Sequence, residues 1–421
     1  MKVLHVITRF IAGSGGNTLL SAAGMDPDRY ETWVAGAPGG PLWEQAERAG
    51  VHVVRLDHMS ERIAPREDLR CLIELVRLMR RERFTVVHTH CSKAGFLGRL
   101  AARIVRVPVV VHTFHIFAVH SGLSPLRRIL YKTLDRMMRS SAHEYLAVAP
   151  RVAREAVETH LVRPGSVRVV PSAVELDRST PDAGADVRRE LGIAPDAPIV
   201  GTVGRLVAQK APLDFVRMAA RVREERPDTV FVMVGDTSLE SRPLEKETRE
   251  EAARLGVPVV FTGFRSDVTR VMSAFDVFVI TSRYEGLGRA LTEAMGSGRP
   301  VVATAVNGVP DLVQPGSTGL LAEPGDTAAL AQCVLWLLAH PQEARRMGEQ
   351  GRDRVRAMFG QDAMCALLDT VYSRLLGLPA PSTDPARAGN EAGDVVVLRE
   401  VLAPAGRDGR TVTTRAPVAR P

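Results

Sequence analysis

Short apolar segments alternate with amphipathic helical patterns along most of this 421-residue chain, and this alternation constrains the fold more than any other feature. In the first half, strands are predicted at residues 2–7, 32–35, 52–56, 85–88, 107–112 and 144–148. Helical patterns lie between them, for example at residues 69–82 and 94–105. Strands that alternate with helices in this way predict a mostly parallel sheet with helices on both faces.

The alternation starts again in the second half, with strands predicted at 199–203, 230–234, 259–262 and 277–280 and helical patterns between them. The preceding stretch, Pro171 to Pro198, is rich in Pro, Asp and Ala and predicts an interdomain linker with a short helix. We therefore expect α/β architecture in two Rossmann-like doubly wound domains, residues 1–175 and 176–360, facing each other across a cleft that receives the substrate.

Two segments follow the second domain. Residues 361–376 carry a helical pattern, and residues 379–421 are rich in Pro, Ala, Gly and Arg. We predict that this tail is disordered and has no part in catalysis.

The net charge of +7 is concentrated in the first domain. Residues 1–175 carry 25 Lys and Arg against 16 Asp and Glu, whereas residues 176–421 carry 30 against 32. A basic domain can meet a phosphorylated substrate or an anionic membrane surface, although a solvated arginine-rich surface is an equally good interpretation. Aromatic residues make up only 5% of the chain and are not interleaved with the basic ones, which argues against a nucleic-acid partner.

A basic amphipathic helix is predicted after Ser124 and Pro125, over residues 126–139. Its arginine-rich face could rest on an anionic membrane surface. The alternative is that its apolar stripe packs into the domain core while the arginines face water, and the pattern favours this alternative.

The four cysteines indicate a reducing compartment. Cys71, Cys91, Cys333 and Cys365 show no C-x-x-C spacing, which favours free thiols over disulfides or a zinc site. No apolar run is long enough to span a bilayer, and polar residues interrupt the apolar start of the chain. We expect a cytoplasmic protein, at most peripheral on the inner face of the membrane.

The stretch Ser282–Gly298 is the first candidate for a ligand site. A predicted strand leads into Glu285 and a glycine-bearing loop, and a helical pattern then places Glu293 in its first turns. Glycines let the backbone approach a ligand, and exposed amides at a helix start favour an anion. An ordinary turn with two solvated glutamates remains an alternative for this stretch taken alone.

A second anion site is predicted in the loop after residues 199–203. Gly204, Arg205 and Lys210 lie between that strand and the helix that begins near Pro212. A guanidinium that can hold two phosphate oxygens, a lysine charge and a helix start thus converge on one place. In the first domain, the loop Gly13–Gly16 after the first strand is a weaker candidate of the same kind.

Four histidines close two neighbouring predicted strands: His88, His90, His112 and His115. Their positions make them candidates for ligand contact. A zinc site is the alternative, but no further Cys or carboxylate stands at a recurring metal spacing.

These motifs, in this order, resemble those of the retaining glycosyltransferases of family 4 (GT4), over about residues 1–375. The segment SRYEGLGRALTEAMGSGRPVVAT is similar to that family's E-x7-E segment, and GRLVAQK is similar to its diphosphate clamp. The N-terminal segments VVHTHCSKAGFLGRLAARIVRVPVVVHTFH and SPLRRILYKTLDR resemble the branch that builds cell-surface polysaccharides. The resemblance implies the GT-B fold, with a C-terminal helix over 361–378 that crosses back to the first domain.

The resemblance also implies roles for individual residues. Arg205 and Lys210 would neutralise the donor diphosphate, so that neither a metal ion nor a cofactor beyond the nucleotide sugar (UDP-sugar favoured) is expected. Glu293 would bind the ribose, and Glu285 would hold the donor sugar and favour positive charge at its anomeric carbon. The amides of Leu287, Gly288 and Arg289 would bind the phosphate, and the turn Gly263–Arg265 would contact the nucleobase. His115 would contact the transferred sugar. Three glycines would also lie against the donor: Gly204, Gly15 and Gly16.

Three departures from the family pattern bear on the acceptor and on sugar preference. Ile116 replaces the expected glycine after HTFH, Gly288 replaces a proline usual in the polysaccharide branch, and the loop Gly13–Gly16 lacks an acidic or bulky neighbour. The acceptor class stays open among a glycan, a lipid-linked acceptor and a small molecule.

Two other functions fit a chain of this architecture. A nucleotide-sugar 2-epimerase would not need the E-x7-E segment, and it would epimerise the donor sugar without an acceptor. A non-catalytic nucleotide-sugar binder would not need all four charged residues of the predicted site.

Overall fold

Two parallel sheets form the framework of the protein. This computed structural model describes residues 1–11, 13–115, 133, 136–174, 183–235 and 242–379. The first sheet has seven strands in the order β3-β2-β1-β4-β5-β6-β7. They are β1 (Lys2–Arg9), β2 (Glu31–Ala37), β3 (His52–Arg55), β4 (Val86–His90), β5 (Val109–Phe114), β6 (Glu144–Ala147) and β7 (Val167–Val169).

Five described helices belong to this half of the chain. They are α1 (Ser14–Ala23), α2 (Leu42–Arg48), α3 (Pro65–Glu82), α4 (Ser92–Val105) and α5 (Pro150–Glu158). On one face of the sheet, Leu75 and Met79 of α3 and Leu97 of α4 pack against Leu4 and Val87 in one core cluster. Since both faces of a parallel sheet are covered, the central strands β1, β4 and β5 are buried almost throughout, with several His and Thr among their apolar residues.

The second sheet has six strands in the order β10-β9-β8-β11-β12-β13. They are β8 (Ile199–Val203), β9 (Val230–Val234), β10 (Val259–Gly263), β11 (Val277–Ile280), β12 (Val301–Thr304) and β13 (Leu320–Ala322). The helices of this half are α6 (Ala183–Glu190), α7 (Pro212–Glu225), α8 (Arg242–Arg254), α9 (Val268–Met272), α10 (Arg289–Gly296), α11 (Val309–Leu312), α12 (Thr327–Ala339) and α13 (Pro341–Met358), with a 3-10 turn at Ala208–Lys210.

The last helix, α14 (Gln361–Leu376), has the bounds that its sequence pattern predicts and packs on the seven-stranded sheet. Its residues Met364 and Leu368 share a core cluster with Val3 and Val86 of that sheet. Two ion pairs hold its outer side, Arg29 with Asp369 at 2.6 Å and Arg374 with Glu144 at 2.6 Å.

The predicted α/β class with two doubly wound sheets is confirmed, and most predicted strands agree with the structure within two residues. β7, β12 and β13 were not predicted. β7 and β13 have only three residues, too few for a periodic pattern to be recognised, whereas β12 has four, like the predicted β3, β6 and β11, so its length does not explain the difference.

One local prediction is wrong. Gly15 and Gly16 lie in the first turn of α1 and not in a loop, because the chain already turns at Gly13, where φ is 76°. The short helix predicted within Pro171–Pro198 is present as α6, and Ala173 and Val187 of this segment are almost completely buried. The boundary predicted at residue 175, the body of the basic helix predicted over 126–139 and the tail from residue 380 lie outside the described residues.

Within the described ranges, none of the helices combines the length and the apolar character that a bilayer-spanning segment needs.

Candidate active site

The candidate site lies where the strand order reverses in both sheets. In the six-stranded sheet the reversal falls between β8 and β11, and in the seven-stranded sheet between β1 and β4. Loops that leave neighbouring strands in opposite directions at such a point open a crevice, which is where open α/β sheets bind ligands. Arg205 and Lys210 follow β8, and Glu285 follows β11. His90 ends β4 and His115 follows β5, whereas His88 and His112 lie within these strands.

Glu285 is held firmly in the turn between β11 and α10. It is 5% exposed, and its carboxylate forms an ion pair with Lys210 and accepts a hydrogen bond from the Ser282 hydroxyl at 2.8 Å. Its amide donates to Asn307 Oδ1 at 3.0 Å. Glu285 is therefore a positioned carboxylate and not one of two solvated glutamates.

The loop after β8 is fastened to this turn. In the 3-10 turn at Ala208–Lys210, the Gln209 carbonyl accepts a hydrogen bond from the Arg283 amide at 2.8 Å. The Thr281 hydroxyl donates to the Lys210 carbonyl at 2.9 Å. A crevice beside β8 and β11 is lined by Gly204, Arg205, Lys210, Thr281 and Ser282 among others. Both cations of the predicted clamp thus face one crevice.

Arg205 and Lys210 differ in their surroundings. Lys210 is paired with Glu285, whereas Arg205 is exposed and makes no ion pair with any residue that the structure describes. The guanidinium of Arg205 is free to bind an anion from the cleft.

The start of α10 offers unpaired backbone donors. Gly288 has a φ of 87°, a left-handed conformation that proline cannot adopt, which explains a glycine at this position. Across the described ranges, the amides of Leu287 and Gly288 donate to no acceptor. Amides of this kind at a helix start bind phosphate oxygens.

Arg289, which is paired with Glu293 of the same helix, connects α10 to the first turn of α1. Arg289 Nε donates to Glu293 Oε1 at 2.7 Å, while its Nη1 is buried without a hydrogen-bond partner in the described structure. A Cβ at Gly16 would overlap the Arg289 guanidinium, so that the first turn of α1 lies directly against it. Gly15 does not face Arg289, because a Cβ built at Gly15 would lie 3.2 Å from the Phe10 backbone and 3.2 Å from the Leu42 side chain.

His115 lies against the Glu285 turn from the other side. A Cβ at Gly286 would overlap the backbone carbonyl oxygen of His115, so only glycine fits there. His115 is 8% exposed, and burial lowers its pKa to about 4, which keeps the ring neutral near pH 7.

A comparison with known proteins bears out the pattern. Residues 20–178 match the model "Glycosyltransferase Family 4", and residues 197–340 match the model "Glycosyl transferases group 1". Over 331 residues the chain is 32% identical to the UDP-Gal:alpha-D-GlcNAc-diphosphoundecaprenol alpha-1,3-galactosyltransferase of Escherichia coli. The aligned region covers 77% of this chain and 85% of the relative. The chain is a group 1 glycosyltransferase of family 4.

Other relatives share this relationship. The glycosyltransferase is 29% identical over 373 residues to the 2-deoxystreptamine glucosyltransferase of Streptomyces kanamyceticus, with 83% of this chain and 95% of the relative covered. Among solved structures, Anabaena HepE in complex with UDP and glucose is similar with a TM-score of 0.77 at 22% identity, over 89% of this chain and all of HepE. The predicted GT-B fold is confirmed, and the protein is a nucleotide-sugar-dependent glycosyltransferase.

The turn Gly263–Arg265 of the glycosyltransferase lies at the end of β10, beside the loop that contains Gly235. The Gly263 carbonyl accepts from the Gly235 amide at 3.0 Å, and a Cβ at Gly235 would in turn overlap the Gly204 carbonyl oxygen. The Arg265 guanidinium pairs with Asp267 at 2.7 Å and with Glu190. Its charge is therefore neutralised by two carboxylates, and the most exposed side chain of this turn is that of Phe264, at 58%.

Sequence reasoning missed two residues that shape the site. Asn307 accepts from the Glu285 amide, and its Nδ2 donates to Glu155 Oε2 at 3.3 Å, so it links the turn to helix α5 of the seven-stranded sheet. His5 lies beside His88 in the register of β1 and β4 and contacts His90. An Asn before Gly after a strand signals a turn, but neither sequence position shows such contacts by itself.

Proposed function

We propose that this glycosyltransferase moves a sugar from a UDP-sugar to an acceptor hydroxyl and retains the anomeric configuration. The observation that supports this most is the convergence of the loops after β8 and β11. They bring Arg205 and Lys210 to one crevice and pair Lys210 with Glu285, and the next residue, Gly286, touches the His115 backbone. Two cations, a fixed carboxylate and unpaired amides suit a sugar diphosphate better than any other small ligand.

In the proposed reaction the acceptor oxygen attacks the anomeric carbon on the face from which the diphosphate leaves. The bond from the anomeric carbon to the phosphate oxygen breaks, the bond to the acceptor oxygen forms, and the acceptor proton passes to the departing diphosphate. Arg205, Lys210 and the amides of Leu287 and Gly288 stabilise the negative charge on the leaving group.

Glu285 and His115 act on the transferred sugar in this proposal. Glu285 binds sugar hydroxyls and favours the positive charge that develops at the anomeric carbon. Glu293 binds the ribose, and its present partner Arg289 adds a cation beside the phosphates. The Gly286 backbone touches the His115 carbonyl, so the Glu285 turn and His115 lie side by side.

We further propose that transfer needs no divalent metal, because the charges of Arg205 and Lys210 meet the diphosphate directly. Turnover in excess EDTA should equal turnover in magnesium. Loss of activity in EDTA that added magnesium restores would refute metal independence while leaving the transferase assignment intact.

The acceptor proposal starts from the relatives. The names of two of them specify a GlcNAc-diphosphoundecaprenol and a 2-deoxystreptamine as acceptors. We propose a lipid-linked sugar diphosphate of a cell-surface polysaccharide as the first acceptor to test, with an aminocyclitol of secondary metabolism as the second. The basic first domain would bring the enzyme to an anionic membrane surface in the first case.

The test combines a donor panel with both acceptors. UDP, GDP, ADP and TDP sugars are first ranked by the rise in melting temperature that each produces, and UDP sugars should rank highest. The best donor is then incubated with each acceptor, and the anomeric coupling in the first-formed product is read by NMR. Transfer with retention supports the proposal, and inversion contradicts the mechanism.

Two outcomes would replace the proposal. Epimerised donor sugar in the absence of acceptor would indicate an isomerase. Donor binding without transfer to any member of a broad acceptor panel would indicate a nucleotide-sugar binder.

A further inference from the structure

Three histidines form a hydrogen-bonded chain that ends at the cleft. His5 Nδ1 lies 3.0 Å from His90 Nε2, and His90 Nδ1 lies 3.0 Å from His115 Nε2. His5 and His90 are at most 1% exposed, whereas His115 is 8% exposed and touches the Gly286 turn. His115 is therefore the member of the chain that meets the cleft.

The parallel register of the sheet builds this chain. Pairing of β1 with β4 places His5 opposite His88, and His90 follows two residues later on the same face. The rings of His5 and His90 stack with centroids 5.3 Å apart. His115 follows directly after β5, the neighbour of β4 on the other side.

Each ring of the chain is neutral. Burial lowers the pKa of His5 to about 3 and that of His115 to about 4, and it places the pKa of His90 well below its usual value. A neutral imidazole has one nitrogen that donates and one that accepts. The two hydrogen bonds must therefore run in the same direction along the chain.

His5 decides which direction this is. Its Nε2 is buried and has no hydrogen-bond partner in the part of the chain that the structure describes. If the bonds ran from His115 towards His5, this nitrogen would carry a proton, and a buried N–H without an acceptor is rare and costly. In the opposite direction Nε2 carries only a lone pair, and His5 donates to His90, which donates to His115.

We propose that His5 and His90 are positioning residues that hold His115 in the tautomer with its proton on Nδ1. Nδ1 is the ring nitrogen of His115 that the chain leaves to a ligand, so the sugar group facing it must accept a hydrogen bond. This inference rests on the proposed function for the statement that a donor sugar occupies the cleft. The direction of the chain does not depend on that function.

A metal ion is the competing occupant of this cluster. One ring nitrogen from each of His5, His88 and His90 lies within 4.8 Å of the others. However, His88 already uses both nitrogens, Nδ1 with the Tyr372 hydroxyl at 2.6 Å and Nε2 with the Thr113 hydroxyl at 2.7 Å. Since both nitrogens of His90 are also bonded, a metal would have to displace several hydrogen bonds, whereas the proposed chain uses them as they are.

The wild-type protein can test the proposal without substrate. Histidines are labelled with ¹⁵N, and long-range proton–nitrogen NMR correlations show which ring nitrogen carries the proton. The His115 signal is assigned as the one lost in His115→Asn. We expect His115 and His90 both to be protonated on Nδ1. A His115 protonated on Nε2 would overturn the proposal, and so would one equivalent of bound zinc in protein purified without a chelator.

Two variants test the positioning role. His90→Phe removes both hydrogen bonds of the chain, so the His115 tautomer should become mixed and kcat should fall by at least about tenfold. The affinity for UDP should not change, because the proposed diphosphate contacts lie on the other sheet. An unchanged tautomer and unchanged kcat in His90→Phe would overturn the role.

Tyr372→Phe is the matched control, because it removes a buried hydrogen bond from His88 and leaves the His5–His90–His115 chain intact. It should lower the melting temperature without altering the His115 tautomer. A mixed tautomer in this control would contradict a role specific to the chain. The NMR readout also separates this inference from the proposed function, since an enzyme that transfers no sugar would still show the tautomer.

Discussion

Lys210 and Arg205 lie in the same loop, yet their side chains make different contacts. Lys210 is paired with Glu285, whose side chain is 7% exposed, while Arg205 is exposed and pairs with no described carboxylate. The sequence predicted both as phosphate ligands from their position after a strand. It could not predict the ion pair, because Glu285 is 75 residues away and the contact depends on how β8 and β11 lie side by side.

Substitution should therefore separate stability from activity at these two positions. Lys210→Ala leaves a buried carboxylate without its cation and should cost about 1–3 kcal/mol of unfolding free energy, since a partly exposed pair costs less than a fully buried one. Arg205→Ala should cost less than about 0.5 kcal/mol. Both should lose at least about a hundredfold in kcat. Urea unfolding and steady-state kinetics measure the two quantities.

A double variant provides the control. Lys210→Ala combined with Glu285→Gln removes the unpaired charge and should regain most of the lost stability, but no activity. Equal stability of the Lys210→Ala and Arg205→Ala proteins would contradict the difference in surroundings described here.

Gly16 and Gly286 form a second contrasting pair. A Cβ at Gly16 meets the end of the Arg289 side chain, which can move, whereas a Cβ at Gly286 meets the His115 backbone carbonyl. We expect Gly286→Ala to cost about 1–3 kcal/mol by overpacking. Gly16→Ala should cost less than about 0.5 kcal/mol, because alanine is the better helix former. Thermal melts that rank the two variants in the reverse order would show that the sheets do not meet in this way.

Helix α14 shows what periodicity can and cannot predict about an element. Its bounds follow from the apolar pattern of residues 361–376, and they agree with the structure. Its packing partner does not follow from the pattern, because an apolar stripe specifies an apolar surface and not which sheet supplies it. The resemblance to the family, and not the periodicity, indicated that it returns to the first sheet.

Removal of this helix should therefore damage the first sheet. A chain ending at Gly360 loses Met364, Leu368 and Tyr372, which are buried against Val3 and Val86. We expect this truncated protein to be insoluble, or to have a melting temperature at least about 10 °C below that of the full chain. A chain ending at Leu378 keeps α14 and should melt and turn over like the full chain. Equal melting temperatures for the two truncations would contradict the packing.

The histidine cluster links the stability of the whole molecule to pH. Burial depresses the pKa of His5 to about 3 and of His115 to about 4, so both are neutral in the fold but accept protons in the unfolded chain below about pH 6.5. The unfolded state then binds more protons, and stability falls as the pH drops through this window.

Acidification from pH 7 to pH 5 should therefore cost roughly 2 kcal/mol for each of these two histidines. Urea unfolding at both values measures the loss. His5→Phe removes one of the two groups, so its loss between pH 7 and pH 5 should be smaller than that of the wild type. An unfolding free energy that is the same at pH 7 and pH 5 would refute the neutral cluster.

At the scale of the whole molecule, the sequence predicted the two sheets and the loops that carry the site, because strand and helix patterns are local. It did not predict the contact of Gly16 with Arg289 or of Gly286 with His115, since these depend on how the sheets meet. His5 was missed for a related reason. Its side chain gains a role only from the register of β1 on β4, which no local pattern encodes.

In the proposed enzyme, a nucleotide diphosphate binds where the loops after β8 and β11 meet the opposite sheet. A crystal grown with UDP tests it most directly. We predict difference density for the diphosphate within hydrogen-bond distance of Arg205, Lys210 and the amides of Leu287 and Gly288, with the ribose beside Glu293. UDP density anywhere else on the protein would contradict the account.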